Sequence, residues 1–218
     1  VVIQVSSDGG TNWTTKGTSA SSSAPYTATL AGLTSGTTYS IRALVTDTAG
    51  NTVTSALSTT SGKITVDTTA PTVGTLTMTT TDDGSSSSDG IIGTLTPAFS
   101  LASASDTAYT GTGAATAGIA SVVLQVSTNG GSSWTDNATF TAPTSPATAY
   151  TVTASPALST NGTYSIRALV TDTAGITSTA ALSTTNGRIT VDTTAPTAGT
   201  LTMTSTDTGS SGSDGIIN

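Results

Sequence analysis

This chain repeats itself, and that repetition constrains its fold more than any other feature. Residues 38–93 align without gaps to residues 163–218, an offset of 125, and 46 of the 56 paired positions are identical. VVIQVSSDGGTNWT, which opens at Val1, returns as VVLQVSTNGGSSWT at Val122, an offset of 121. The four-residue difference falls between the tryptophan and Thr163, and the Pro-bearing stretch TAPTSPATAY is the natural place for it. A period of about 125 residues is the size of one domain. The phrase VDTTAP, at 66–71 and again at 191–196, marks the boundary. Alanine before proline is pushed toward an extended conformation, so VDTTAP reads as a short, stiffened linker. Cutting there predicts three pieces: 1–67, the later part of one repeat; 68–192, a whole repeat; and 193–218, the start of the next.

Composition limits what such a unit can be. The chain has 55 Thr and 32 Ser among 218 residues, only 8% charged residues, and no Cys, His or Glu. Disulfides, thiol chemistry, His-based triads and Cys/His zinc sites are thereby excluded. Helices are disfavoured, because strong helix formers are scarce while Thr and Val abound. All twelve acids are Asp, against five Lys and Arg, for a net charge of -7. That charge argues against nucleic acid or an anionic membrane surface as a partner. No apolar run approaches the roughly 18 residues of a membrane span. The chain opens inside an apolar run, VVIQV, and residue 1 is expected not to be the natural N-terminus.

The apolar residues come in short alternating runs, the pattern of strands. In the whole repeat, strands are expected at 73–81, 94–101 (with Pro97 marking an edge or bulge), 121–127, and 150–154. Asn-Gly-Gly after residue 127 reads as a tight hairpin leading into SSWT. TYSIRALVT, 163–171, is the strongest strand signal, with Tyr164, Ile166, Ala168 and Val170 on one face. ITSTAALST and GRITVD complete the set. About seven strands without a helix predict an all-β antiparallel sandwich.

LTSGTTYSIRALVTD, 33–47, resembles the corner before strand F of immunoglobulin-like and fibronectin type III domains, where a tyrosine hydroxyl pins the turn. Tyr39 and Tyr164 would hold that role. The VTDTAGN loop, the VDTTAP linker and the DTGSSGSDGI loop together resemble the bacterial immunoglobulin-like tandem repeats of large surface adhesins and biofilm-associated proteins. The resemblance covers nearly the whole chain. The long Ala/Ser/Thr-rich stretch 102–120 departs from it. What the resemblance implies is a rod of tandem sandwiches, end to end with neighbouring repeats, at an extracellular bacterial surface.

Two further patterns bear on chemistry. SSDGGTNW, 6–13, is similar to the Asp-box S-x-D-x-G-x-x-W of sialidases, but the second copy at 127–134 has Asn129 in place of Asp8. That exchange is harmless in a turn and would disable a catalytic carboxylate, so the motif reads as a structural hairpin. Lys63 becomes Arg188 in the other copy, which argues against a lysine cross-link. With only Asp available for acid–base work, and those Asp in repeating loops, the chain is not expected to be an enzyme.

The Asp residues concentrate in loops and linkers: Asp67 and Asp192 in the linkers, Asp47 and Asp172 after the strongest strand, and Asp82, Asp83 and Asp89 in the first loop of the whole repeat. Asp207 and Asp214 lie in the next copy of that loop, and Asp106 in the long loop after the second strand. Clustered carboxylates repel unless a cation lies between them, and calcium takes 6–8 oxygens of the kind such loops offer. Equally, Asp, Ser and Gly simply make turns. The family resemblance tips the reading to calcium, because such repeats bind it at domain junctions. It implies one site from Asp67 and Asp172 with Asp106, and a second, from Asp82, Asp83 and Asp89, at the opposite end of the repeat. Asp192 would find its partner in Asp47 of another copy.

These features predict a structural spacer of a secreted surface adhesin or extracellular fibre, stiffened by calcium. Two alternatives are a carbohydrate- or protein-binding module and the wall of a self-assembled filament. The incomplete ends fit a window on a continuous array better than strand addition between copies, because strand addition would still leave one strand absent.

Overall fold

The structure, a computed structural model, describes residues 1–58, 60–106, 118–142, 149–159 and 161–205. Its elements are strands; the only helical turns among the described residues are two three-residue 3-10 turns, Thr60–Gly62 and Thr185–Gly187. The scarcity of helix formers and the abundance of β-branched Thr, Val and Ile account for this.

The first five strands are β1 (Val2–Ser6), β2 (Thr14–Thr18), β3 (Thr37–Thr46), β4 (Thr52–Ala56) and β5 (Lys63–Val66). They form one antiparallel sheet in the order β2-β1-β3-β4, with β5 also on β3. Its core is small: Val5, Tyr39 and Ile41 are buried, with Ile3, Leu30, Leu33, Leu57, Ile64 and Val66 against them.

The remaining strands are β6 (Thr72–Val73), β7 (Leu76–Met78), β8 (Ile91–Ile92), β9 (Ala98–Leu101), β10 (Ala104–Ser105), β11 (Ile119–Ser127), β12 (Thr135–Thr139), β13 (Tyr150–Thr153), β14 (Gly162–Asp172), β15 (Thr177–Ala181) and β16 (Arg188–Val191). A six-stranded sheet runs β12-β11-β14-β16-β8, with β15 also on β14, and a three-stranded sheet runs β13-β9-β7. Among the described residues every strand pairing is antiparallel except β16 with β8, and an isolated bridge, Leu76 with Leu182, is also parallel. Both sheets contribute to one buried cluster: Leu76, Phe99, Leu101, Tyr150 and Val152 from the smaller, and Ile92, Val122, Leu124, Tyr164, Ile166, Ala168, Val170 and Ile189 from the larger. The period-2 alternation of TYSIRALVT thus puts its even-numbered residues inside. The two core clusters fall on either side of residues 67–71, one drawing on residues 3–66 and the other on 73–191.

The strand expected at 73–81 is divided. β6 pairs with β10 and β7 with β9, and Gly74 sits at the change of partner. Its N–H donates to Ser103 O at 2.8 Å, and a Cβ there would stand 2.6 Å from Ser103 Oγ and 2.9 Å from Ser103 N. Only glycine admits so close a backbone approach. The strand expected from residue 94 begins at Ala98, after Pro97, which has no N–H for a ladder; its carbonyl accepts instead from Ala154 N–H at 2.9 Å. Part of the long stretch 102–120 forms β10 and the start of β11, while 107–117 lie outside the described residues.

Tyr39 Oη accepts the Thr34 N–H at 3.0 Å, five residues upstream. Tyr164 is buried at the equivalent place.

Candidate metal centre

Three carboxylates converge where the first group of strands hands over to the second. Asp67 follows β5, Asp106 follows β10, and Asp172 ends β14 opposite Ile119 of β11. One oxygen from each lies within 4.8 Å of the others. Asp106 is 5% exposed and Asp172 1% exposed, while Asp67 is half-buried. Among the described residues, no other three His, Cys, Asp or Glu side chains converge in this way.

Local hydrogen bonds fix the carboxylates and leave oxygen to spare. Asp67 Oδ1 accepts the Thr69 N–H at 3.0 Å, an Asx turn that the VDTTAP sequence encodes. The linker is tied to the preceding loop: Thr68 N–H donates to Ser35 Oγ at 3.0 Å and Gly36 N–H to Val66 O at 2.8 Å. Asp172 Oδ1 accepts N–H groups from Ala174 and Ile176, both at 2.8 Å. The second oxygens, Asp67 Oδ2 and Asp172 Oδ2, are buried without a hydrogen-bond partner. A buried, unsatisfied carboxylate oxygen is costly. Two ionised carboxylates about 4.8 Å apart also repel by about 3 to 4 kcal/mol at an effective dielectric near 20. A divalent cation would remove both costs at once. The donor set is all oxygen, which suits a hard cation of the calcium or magnesium type rather than zinc or copper. These residues fit such an ion: Asp67, Asp106 and Asp172 would hold it, and its charge would join the linker to two strands of the following unit.

The other Asp residues are employed differently. Asp82 Oδ2 accepts Gly90 N–H at 2.9 Å, Asp83 Oδ1 accepts Gly93 N–H at 3.2 Å, and Asp89 Oδ1 accepts Ile91 N–H at 3.0 Å. These bonds hold the loop that precedes β8. Asp83 and Asp89 are exposed, and the three do not converge as Asp67, Asp106 and Asp172 do. Asp82 Oδ1 is nonetheless buried without a partner, and Asp82 lines a cavity of about 300 Å³ with Met78, Thr80 and Thr184. Asp192 Oδ1 accepts from Thr194 N–H at 2.9 Å, as Asp67 does from Thr69, and from Asn161 Nδ2 at 3.1 Å. Asp47 has both oxygens occupied: Ala49 N–H and Asn51 N–H reach Oδ1, and Asn51 Nδ2 reaches Oδ2 at 2.8 Å. The Asn51 side chain, with the loop amides, holds the Asp47 carboxyl below its ordinary range. Asp207 and Asp214 lie outside the described residues.

The two SxDxGxxW-type hairpins build an ordered feature of another kind. Ser6 Oγ donates to Asp8 Oδ1 and accepts Gly10 N–H, while Trp13 Nε1 donates to Gly10 O at 2.9 Å. In the second copy Ser127 Oγ donates to Asn129 Oδ1 and accepts Gly131 N–H. Asn thus replaces Asp with the turn intact. Each tryptophan carries an arginine from the long strand, which donates through Nε to a glutamine: Arg42 to Gln4 at 2.9 Å and Arg167 to Gln125 at 2.7 Å. Both arginines are stacked, and the glutamine between tryptophan hairpin and arginine is a partner that sequence reasoning missed. Its only signal was the identical V-x-Q-V spacing in the two copies.

The chain matches no protein-family model and no curated protein.

Proposed function

We propose that this chain is a stretch of tandem immunoglobulin-like sandwiches serving as an extracellular spacer of a bacterial surface adhesin or fibre, with calcium bound at the junction between consecutive repeats. The observation that carries the reading is the convergence of Asp67, from the linker, with Asp106 and Asp172 of the following unit, two of them with a buried oxygen that lacks a partner. An ion there ties one repeat to the next and limits bending between them. The tyrosine hydroxyl on the Thr34 amide, the core shared between two sheets and the 125-residue period support the immunoglobulin-like assignment. A non-enzymatic role fits a chain whose Asp residues mostly hold their own loops. Thermal unfolding in EDTA and in millimolar calcium tests the ion. Binding to the folded state alone adds about 2.7 kcal/mol at a hundredfold excess over the dissociation constant. A rise of several degrees is expected, and an unchanged melting temperature refutes the calcium junction.

A further inference from the structure

Two copies of one loop lie in this chain and differ at a decisive position. DTAGN (47–51) and DTAGI (172–176) share four of five residues. Their backbones share the same hydrogen bonds. Asp47 N–H donates to Asn51 O at 2.9 Å and Gly50 N–H to Asp47 O at 3.2 Å; Asp172 N–H donates to Ile176 O at 3.0 Å and Gly175 N–H to Asp172 O at 3.2 Å. Oδ1 of each aspartate takes the amides two and four residues on, at 2.8 to 2.9 Å. Within the loops the hydrogen bonding differs at Oδ2, and the setting differs too: Asp47 is exposed, whereas Asp172 is 1% exposed. In the first loop the Asn51 side-chain amide donates to Oδ2 at 2.8 Å. In the second, the Ile176 side chain has nothing to donate, and Asp172 Oδ2 is left buried and unsatisfied beside Asp67 and Asp106.

We propose that the residue four positions after the loop aspartate sets the cation affinity of a repeat junction. Isoleucine leaves the carboxylate dependent on a divalent cation, whereas asparagine satisfies it from within the loop. The inference rests on the calcium reading of the Asp67–Asp106–Asp172 site and deepens it. An amide hydrogen bond to a carboxylate is charge-assisted and must be given up before that oxygen can turn to a cation. Arrays with mixed asparagine and isoleucine loops would therefore contain junctions of different calcium sensitivity, set by one side chain.

The test uses the full 218-residue chain with calcium alone as the probe, measured by isothermal titration calorimetry and by melting with and without EDTA. Ile176→Asn should weaken the calcium dissociation constant about tenfold or more, equivalent to about 1.4 kcal/mol, and shrink the calcium-induced rise in melting temperature. Ile176→Ala, which removes the same apolar bulk without adding an amide, should keep the wild-type affinity. Calcium binding by Ile176→Asn that equals or exceeds the wild type overturns the proposal, because the asparagine oxygen would then be serving as an additional ligand or as nothing. Equal weakening in both variants also overturns it, since packing would be the cause. A wild-type chain that binds no calcium overturns instead the junction reading on which the proposal stands.

Discussion

Arg167 lies over Trp134, its guanidinium carbon 4.1 Å from the ring centroid, while its Nε donates to Gln125 Oε1 at 2.7 Å. Gln125 in turn donates through Nε2 to Asp136 Oδ1 at 2.6 Å. Arginine is suited to both tasks at once, because its planar head stacks while its edge donates. Three strands, β14, β11 and β12, are joined by this chain of side chains. Trp134→Ala should lower the free energy of unfolding by about 1 to 3 kcal/mol, combining the lost stacking with the exposed apolar surface. Arg167→Lys should cost less, since the charge remains while the Nε donor is lost. Urea denaturation of the two variants measures both.

Asp172→Asn should reverse sign with calcium. The substitution keeps Oδ1 as acceptor for the Ala174 and Ile176 amides and removes a buried negative charge facing Asp67 and Asp106. In EDTA the variant is expected to melt at or above the wild type, because repulsion among the three is relieved. In millimolar calcium it should fall below, having lost a ligand. Calorimetric melting under both conditions checks the crossing.

The first tryptophan hairpin should titrate in acid and the second should not. Ser6 Oγ, followed by the Asn12 amide and side chain and the Thr11 amide, holds Asp8 well below the ordinary carboxylate range. A carboxyl depressed on folding adds stability above its unfolded value, near 3.9, and loses it as pH falls from there toward the folded value. Asn129 carries no such charge. Asp8→Asn should therefore flatten that part of the acid limb, and Asn129→Asp should add a second depressed carboxyl. Carboxyl chemical shifts followed by NMR between pH 5 and 1.5 or so report each site.

Leu76 and Leu201 occupy the same place in two copies of the repeat, yet Leu76 is fully buried and Leu201 is 98% exposed. Leu76→Ala should cost about 2 to 5 kcal/mol, the range for emptying a packed leucine site. Leu201→Ala should change the stability of this chain by no more than about 0.5 kcal/mol. Denaturant midpoints of the two variants give the comparison directly.

The fold class was legible because alternation is local: TYSIRALVT shows which residues face inward without knowing what they meet. The division at Gly74 was not legible, since it depends on Ser103 crossing close by, and nothing near residue 74 announces that neighbour. The approach of Asp67 to Asp172 was expected only from the resemblance to immunoglobulin-like repeats, in which the loop after the long strand lies beside the incoming linker. The contrast between Asp47 and Asp172 was visible as letters, N against I, but its meaning needed the position of one carboxylate oxygen. The Gln–Arg–Trp stack lay hidden for the same reason. Its members are 38 to 42 residues apart along the chain between glutamine and arginine, and no periodicity connects them.

The parallel pairing of β8 with β16 has a mechanical consequence. Thr190 N–H donates to Gly90 O at 2.8 Å and Asp192 N–H to Ile92 O at 3.0 Å, joining an early strand of the unit to its last. When the unit is pulled by the linkers at 67–71 and 192–196, force entering at 67–71 reaches β8 only after β6 and β7, held to β10 and β9, have yielded. From then on β8 and β16, which run the same way, are drawn past each other in opposite directions. Their bonds are then loaded in shear and must yield together, whereas an antiparallel pair pulled from one end would unzip bond by bond. Ile92, 1% exposed, would have to leave the core in the same event. The sheet edge thus works as a latch whose resistance depends on the direction of the force.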